Sequence, residues 1–284
     1  MSEPLPVSWT VAVVAASLAL FSAVELLSPL RRKVESYSRR LARNLAVAGT
    51  AYACITLLSI PLFTPLAAWL AERRIGLLYL FPLPPGLHTA AAILLLDYTL
   101  WFWHWLNHRT PLFWRFHRVH HADLDLTASS ALRFHAGELV LSLFYRLLQI
   151  ALIGADPLAV SAWQTLLFVA VLFHHSNWRL PFPLERFLVR WVVTPRMHGI
   201  HHSNQRAETD SNYCSILSLW DRLHGTLLLS VPQQEVVIGV AGRRDPAELT
   251  IGKILLLPFQ RPDGDWPAGA PQRDHPPPRA TLAP

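Results

Sequence analysis

Between Leu45 and Ala71 the chain carries no charged side chain. As a helix that run is roughly 40 Å long, more than the hydrocarbon core of a bilayer. In lipid a backbone satisfies its own polar groups only as a helix or a closed barrel, so this run directs the chain towards a helical membrane protein. Four further stretches share its character. Residues 7–28 are apolar except for Glu25, 88–106 are interrupted by Asp97, 139–153 hold only Arg146, and 157–173 hold no charge. Gly154, Ala155, Asp156 and Pro157 give a turn signal between the last two, which predicts a helical hairpin. The expectation is five spans in an all-α, multi-pass integral membrane bundle.

Composition supports this: 15% of residues are charged and 52% hydrophobic, whereas about a quarter are charged in soluble domains. A disordered or fibrous chain is excluded. Cys54 and Cys214 are too few for a disulfide framework or a thiolate metal site. The net charge of +6 comes from basic residues beside apolar stretches, which suits lipid headgroups and gives no reason to expect nucleic acid as a partner. Arg31, Arg32, Lys33, Arg39, Arg40 and Arg43 follow the first apolar run, where a signal peptide would carry its charges in front. That run is expected to be a retained anchor whose C-terminal end is cytoplasmic. Residues 1–87 are then N-terminal transmembrane helices and a loop, 88–258 a catalytic domain containing the hairpin, and 259–284 a proline-rich disordered tail.

Histidine fits no bland class, because 11 of the 14 lie between His104 and His202. They read His104-Trp-Leu-Asn-His108, His117-Arg-Val-His120-His121, His174-His175-Ser-Asn and His198-Gly-Ile-His201-His202. With alternating spans all eleven fall at the cytoplasmic face, as a histidine-rich cap. On a helix, positions i, i+3 and i+4 share a face, so each box is expected to aim its imidazoles at one point. Eight box histidines exceed the four ligands of a tetrahedral zinc, and two metal ions fit the count. Imidazole suits zinc, copper, iron and nickel alike. No HExxH occurs, and no glutamate is followed three residues later by histidine, so neither a zincin nor a carboxylate-bridged bundle is supported. A nearly all-nitrogen site at a bilayer surface suits redox chemistry on lipid better than hydrolysis, and a di-iron centre is expected.

These boxes, in this order, resemble the fatty acid hydroxylase and sterol desaturase superfamily. So do His121-Ala-Asp-Leu-Asp-Leu-Thr, Arg133-Phe-His135, His175-Ser-Asn177, Ser211-Asn212-Tyr213 and Trp220-Asp221-Arg-Leu, and the likeness spans roughly residues 90 to 230. The resemblance implies a membrane-bound, non-haem di-iron oxygenase that uses O2 and two external electrons to hydroxylate or desaturate a lipid such as a sterol or fatty acyl chain. It implies metal ligation by His104, His108, His117, His120, His121, His175, His198, His201 and His202, and His135 is set with them as a further ligand. Trp105 stands where the family often has arginine, and His224 where it usually has phenylalanine. The chain shows no haem-binding domain, so a separate ferredoxin- or cytochrome-type donor is expected as partner.

Asp97 lies seven residues before His104, nearly on the same helical face, and is read as a hydrogen-bond partner for a ligand histidine; the plainer reading pairs it with Arg146. Asn212 and Asp221 are further supporting candidates. The aromatics Trp101, Phe102, Trp103, Trp105, Phe113 and Trp114 read as an interfacial belt. His88, His224 and His275 are assigned structural roles. Two other classes stay open: a zinc-dependent membrane hydrolase with Glu138 or Asp123 as general base, and a metal-binding or transport protein without chemistry.

Overall fold

The computed structural model describes residues 3–262, 265, 266 and 282, with side chains described everywhere in these except at 53–61. Long helices come first: α1 (Val7–Leu27), α2 (Tyr37–Glu72), α3 (Pro85–Arg109), α4 (Pro111–His121), α5 (Ala136–Ile153) and α6 (Pro157–His175). Short ones follow: α7 (Phe182–Leu188), α8 (Pro195–His201), α9 (Arg206–Thr209), α10 (Leu219–Leu223) and α11 (Ile251–Leu256). Among the described residues β pairing is limited to isolated bridges, such as Ser203 with Ile238. The fold is an all-helical membrane bundle with an irregular cap.

Helix ends follow local chemistry. Pro85, Pro111, Pro157 and Pro195 open their helices, where the missing N–H costs nothing and φ is already helical. The expected hairpin turn forms as its residues dictate: Gly154 ends α5 at φ 75°, and Asp156 caps α6 by accepting from the Ala159 N–H at 3.0 Å. Thr89 and His88 on α3 bind this turn through Asp156 and the Gly154 carbonyl, which gives His88 its structural role. Gly76 also packs there, at φ 122°, so close that an added Cβ would lie 2.3 Å from the Gly154 Cα. Gly76→Ala should therefore lower stability by about 1–3 kcal/mol through backbone strain and overpacking. Thermal unfolding in detergent checks this; a value matching wild type would mean that the two turns separate freely.

The bundle core lies between α2, α3, α5 and α6 and includes Leu70, Leu96, Ile150 and Trp163. α1 packs along α6 and leaves Val7, Trp9, Val11 and Leu20 exposed, an apolar outer surface suited to lipid. Among the described residues α1, α5 and α6 are each long and apolar enough to cross a membrane. The third expected span differs: Pro85–Arg109 passes only together with Leu62–Leu80, as a pair bent by 76°. Pro82, Pro84 and Pro85 at the break prevent a continuous helix. Among the described residues that makes three such helices, or four with the bent pair as one span; the second expected span, 45–71, lies within α2, and its residues 53–61 are outside the described side chains.

Two of the basic residues taken as membrane-orienting marks serve another purpose. Arg40 and Arg43 on α2 are buried and converge on Asp123, at 2.9 and 3.4 Å. Burial alone would raise the Asp123 pKa, but Arg40 and Arg133 overcome this and hold the carboxyl well below its usual range. Glu25, the one charge of α1, accepts from the backbone N–H groups of Ala128 and Asn177. The cap is thus tied to the bundle by buried charge.

The expected free tail is docked at its start. Asp265 is fully buried and accepts from Arg118, Arg243 and Trp114 Nε1, and so gives the buried Arg118 guanidinium its charge partner. Trp266 lies against Trp114, with centroids 5.1 Å apart, and donates to the Asn204 carbonyl. Residues 267–281, including His275, lie outside the described residues.

Candidate metal centre

α3 ends in His104 and His108, and the Thr110-Pro111 turn folds α4 back so that His117, His120 and His121 face them. The C-terminal end of α6 brings His174 and His175, while α8 and its cap residue bring His198, His201 and His202. Nine of these imidazoles form two groups whose candidate ligand atoms lie within 4.8 Å of one another. His104, His108, His117, His121 and His201 make one; His120, His175, His198 and His202 make the other.

The boxes therefore do not each aim at one point. In each HxxHH box the i,i+4 pair enters one group and the remaining histidine enters the other. Positions i and i+4 are about 40° apart around a helix, while i+3 lies about 60° away on the other side of i. A boundary between two metals can run between them. α4 sends its pair to the first group and α8 to the second, so each helix bridges both.

Tautomers follow from what the outer ring nitrogens meet. Nδ1 of His104, His175 and His201 donates to the carbonyls of Tyr213, Val171 and Ser211 at 2.7, 2.8 and 2.7 Å. Nδ1 of His117 donates to Glu138 Oε1 at 2.7 Å. A neutral imidazole so engaged presents Nε2 as a lone pair. His104 Nε2 and His117 Nε2 nevertheless face each other at 3.2 Å, and His175 Nε2 lies 3.0 and 3.1 Å from Nε2 of His120 and His198. His201 Nε2 is buried with no partner. Between His104 and His117, whose Nδ1 atoms are both engaged, the facing lone pairs repel unless a cation lies between them, so the donor set fits bound metal.

Electrostatics point the same way. Burial, and then the neighbouring histidines, hold His120, His121, His198 and His202 well below the usual histidine pKa. Burial lowers His201 to about 3. These rings are neutral at physiological pH, the form a metal requires.

The supporting residues separate by what they touch. Asp221 accepts from Trp101 Nε1, Thr226 Oγ1 and the N–H groups of Tyr213 and Cys214, fixing the strand of backbone whose Tyr213 carbonyl orients His104. Asn212 sits between the two orienting carbonyls at φ 54°. Its side chain clamps the Met197 and Leu228 carbonyls and the Leu228 N–H, which sustains a backbone conformation L residues seldom adopt. Asp97 meets no histidine: it accepts from Trp220 Nε1 at 2.8 Å and the Leu217 N–H at 3.2 Å. Nor does it pair with Arg146, whose guanidinium lies over the Trp163 ring at 3.9 Å.

His135 joins neither group. It caps α5, its Nδ1 accepting from the Gly137 N–H at 2.9 Å. His174 is outside both groups too, with its ring 4.0 Å from that of His198, while its neighbour His175 is inside. His224 stacks on Trp101 at 3.9 Å, doing the work of a flat aromatic ring. The expected interfacial belt is partly internal, because Trp101, Trp103 and Trp114 are buried and their indole N–H groups bind Asp221, Ser142 and Asp265. Both candidate hydrolytic bases are engaged, Glu138 on His117 and Asp123 among its arginines.

The Ser211 and Val171 carbonyls went unforeseen, since backbone acceptors leave no mark in a sequence; only the Ser211-Asn212-Tyr213 run hinted at the first. Glu138 in the first turn of α5 is the acidic partner that a ligand histidine calls for. Glu138→Ala should weaken metal binding about 10–100-fold, with Glu138→Gln retaining more, as read by chelator competition. Equal affinity in all three proteins would remove Glu138 from the centre.

Residues 89–226 match the family model described as fatty acid hydroxylase. The chain is similar to the cholesterol 25-hydroxylase of Rattus norvegicus, at 25% identity over 163 residues, 57% of this chain and 53% of that one. It is also similar to an ornithine lipid hydroxylase of Rhizobium tropici, at 29% over 56% of this chain and 47% of that protein. The alkylglycerol monooxygenase of Homo sapiens is 30% identical over 53% of this chain and 32% of its own length. The chain spans about half the length of the first two of these relatives. No solved structure matches it.

Proposed function

Because residues 89–226 belong to the fatty acid hydroxylase family, we propose that this chain is a membrane-bound di-iron oxygenase that hydroxylates a lipid drawn from the bilayer. The observation that carries the reading is the pair of histidine groups whose candidate ligand nitrogens converge within 4.8 Å of one another. The relatives are named for hydroxylating or mono-oxygenating a sterol, an ornithine lipid and an alkylglycerol, which supports lipid hydroxylation over desaturation. The overall change is R–H + O2 + 2 electrons + 2 protons → R–OH + water, with the electrons from a separate ferredoxin- or cytochrome-type protein on the cytoplasmic side. His104, His108, His117, His121 and His201 would hold one iron, and His120, His175, His198 and His202 the other. When bound, the irons supply activation of O2 and oxidation of an unactivated C–H bond.

The chain's own residues do the rest. Glu138 and the carbonyls of Val171, Ser211 and Tyr213 keep Nδ1 of His117, His175, His201 and His104 protonated, so that Nε2 of these four points inward without reorganisation. Asp221 and Asn212 hold two of those carbonyls in place. Burial of all the ligand rings except the partly buried His104 excludes bulk water, which protects a reactive centre from side reactions.

Elemental mass spectrometry of detergent-purified protein should give two irons per chain, one for each histidine group. Incubation with lipid extract, reductant and 18O2 should place one labelled oxygen atom in a lipid product. Iron-reconstituted protein that incorporates no label with any lipid class would sink the proposal.

A further inference from the structure

Midway along α5 lies a charge for which the centre has no use. Arg146 is only partly exposed within an apolar helix able to span a membrane, where a guanidinium is costly unless it is paired. Its Cζ lies 3.9 Å from the Trp163 ring centroid, an attraction that offsets part of that cost. Its Nη1 is nevertheless buried without a hydrogen-bond partner, and so is the indole Nε1 of Trp163. Asp97, the acidic residue of α3, is committed to Trp220 and Leu217.

The polar neighbours on α5 are already spent on α3. Ser142 accepts from Trp103 Nε1, Tyr145 donates to the Thr99 carbonyl, and Gln149 Nε2 donates to Thr99 Oγ1. What remains is two unused donors on Arg146 and Trp163, carrying a positive charge, and the unpartnered acceptor Gln149 Oε1 one turn on. Two donors and a cation in a water-poor bundle fit an anion, and Gln149 Oε1 suits a hydroxyl carried beside it.

We propose that Arg146 and Trp163 hold the acidic end of a single-chain lipid, a carboxylate or a phosphate, inside the bundle. The site rests on the lipid-hydroxylase reading for its purpose. Arg146 follows Glu138, which holds ligand His117, by eight residues, about 12 Å along the helix. A lipid anchored there offers the centre a carbon remote from its acidic end, so the anchor selects the position oxidised as well as the substrate.

The test is equilibrium binding to the full-length, detergent-purified protein, which needs no turnover. The probes are oleate against oleyl alcohol, and 1-oleoyl lysophosphatidate against 1-oleoylglycerol. Wild type should bind at least one acid about tenfold or more tighter than its neutral partner, and the preferred pair distinguishes carboxylate from phosphate. Arg146→Gln should abolish that preference while leaving metal content and neutral-lipid binding unchanged. Arg146→Lys should keep part of it, and Trp163→Phe, which retains the ring but not the N–H, should weaken acid binding a few-fold. Equal binding of acids and neutral lipids by wild type overturns the proposal, whatever the variants do. So does an Arg146→Gln protein that retains the acid preference. A normal acid preference in protein that fails the labelled-oxygen assay would instead count against the hydroxylase reading alone.

Discussion

Replacing His120 and His201 together with alanine should take the protein from two bound metal ions to none and abolish product formation. Each substitution removes one ligand from one of the two groups. His120 belongs to the second group, where its Nε2 lies 3.0 Å from that of His175. His201 belongs to the first, and its buried Nε2 has no protein partner. The single variants separate the groups: His120→Ala should deplete the second, and His201→Ala the first. Chelation of the wild type gives a related result. Because metal binds the folded arrangement and not the unfolded chain, its removal should lower thermal stability in step with its affinity. The loss should be larger in wild type than in the double variant, which no longer has a complete set of ligands to stabilise. Elemental analysis and thermal unfolding on the same preparations test both statements. A double variant that retains two metals would place the metal elsewhere.

The second large effect is on folding alone. Asp123→Asn should destabilise the protein by about 3–5 kcal/mol, the range found when one partner of a buried ion pair is removed. Arg40, Arg43 and Arg133 all meet this carboxylate, at 2.9, 3.4 and 3.4 Å, and Arg40 and Arg133 are almost wholly enclosed. Without its charge they repel one another with no water to screen them. The same carboxylate binds Asn44 and Ser130, so α2 loses its hold on the loop that follows His121. A useful contrast is Glu248→Gln, which breaks a 2.7 Å ion pair with Lys253. Both side chains there are more than two-fifths exposed, so that change should cost about 1 kcal/mol at most. Chemical or thermal unfolding of the two variants in one detergent checks the ranking. If Asp123→Asn is as stable as Glu248→Gln, the arginine cluster is not what ties the cap to the bundle.

Much of this was legible in the residues. Uninterrupted apolar runs specify helices because lipid offers the backbone no other partner, and α1, α5 and α6 stand where those runs predict them. The turn at Gly154-Ala155-Asp156-Pro157 was equally plain, since a left-handed glycine, a capping aspartate and an initial proline each act within a few residues. The nine histidines that form the two groups are the nine that the box pattern and the family resemblance single out. Local spacing carries this information, because i,i+4 pairs must share a helical face.

What the sequence could not supply is everything that depends on which elements meet. A charge looks the same whether it faces a headgroup or a buried partner, so Arg40 and Arg43 read as membrane-orienting marks until α2 is set against Asp123. Asp97 shares a helical face with His104, yet it serves Trp220 because the segment before α10 folds over it. His135 falls among the boxes in sequence, but it is spent on the first turn of α5. The division of each HxxHH box between two metals, and the backbone carbonyls that fix the ring tautomers, arise only when α3, α4, α6 and α8 converge. The amino-acid sequence determined the helices and the donor atoms, through short-range periodicity and solvent preference. Packing decided the pairings, because contacts between residues far apart in the chain are set by how whole helices close on one another.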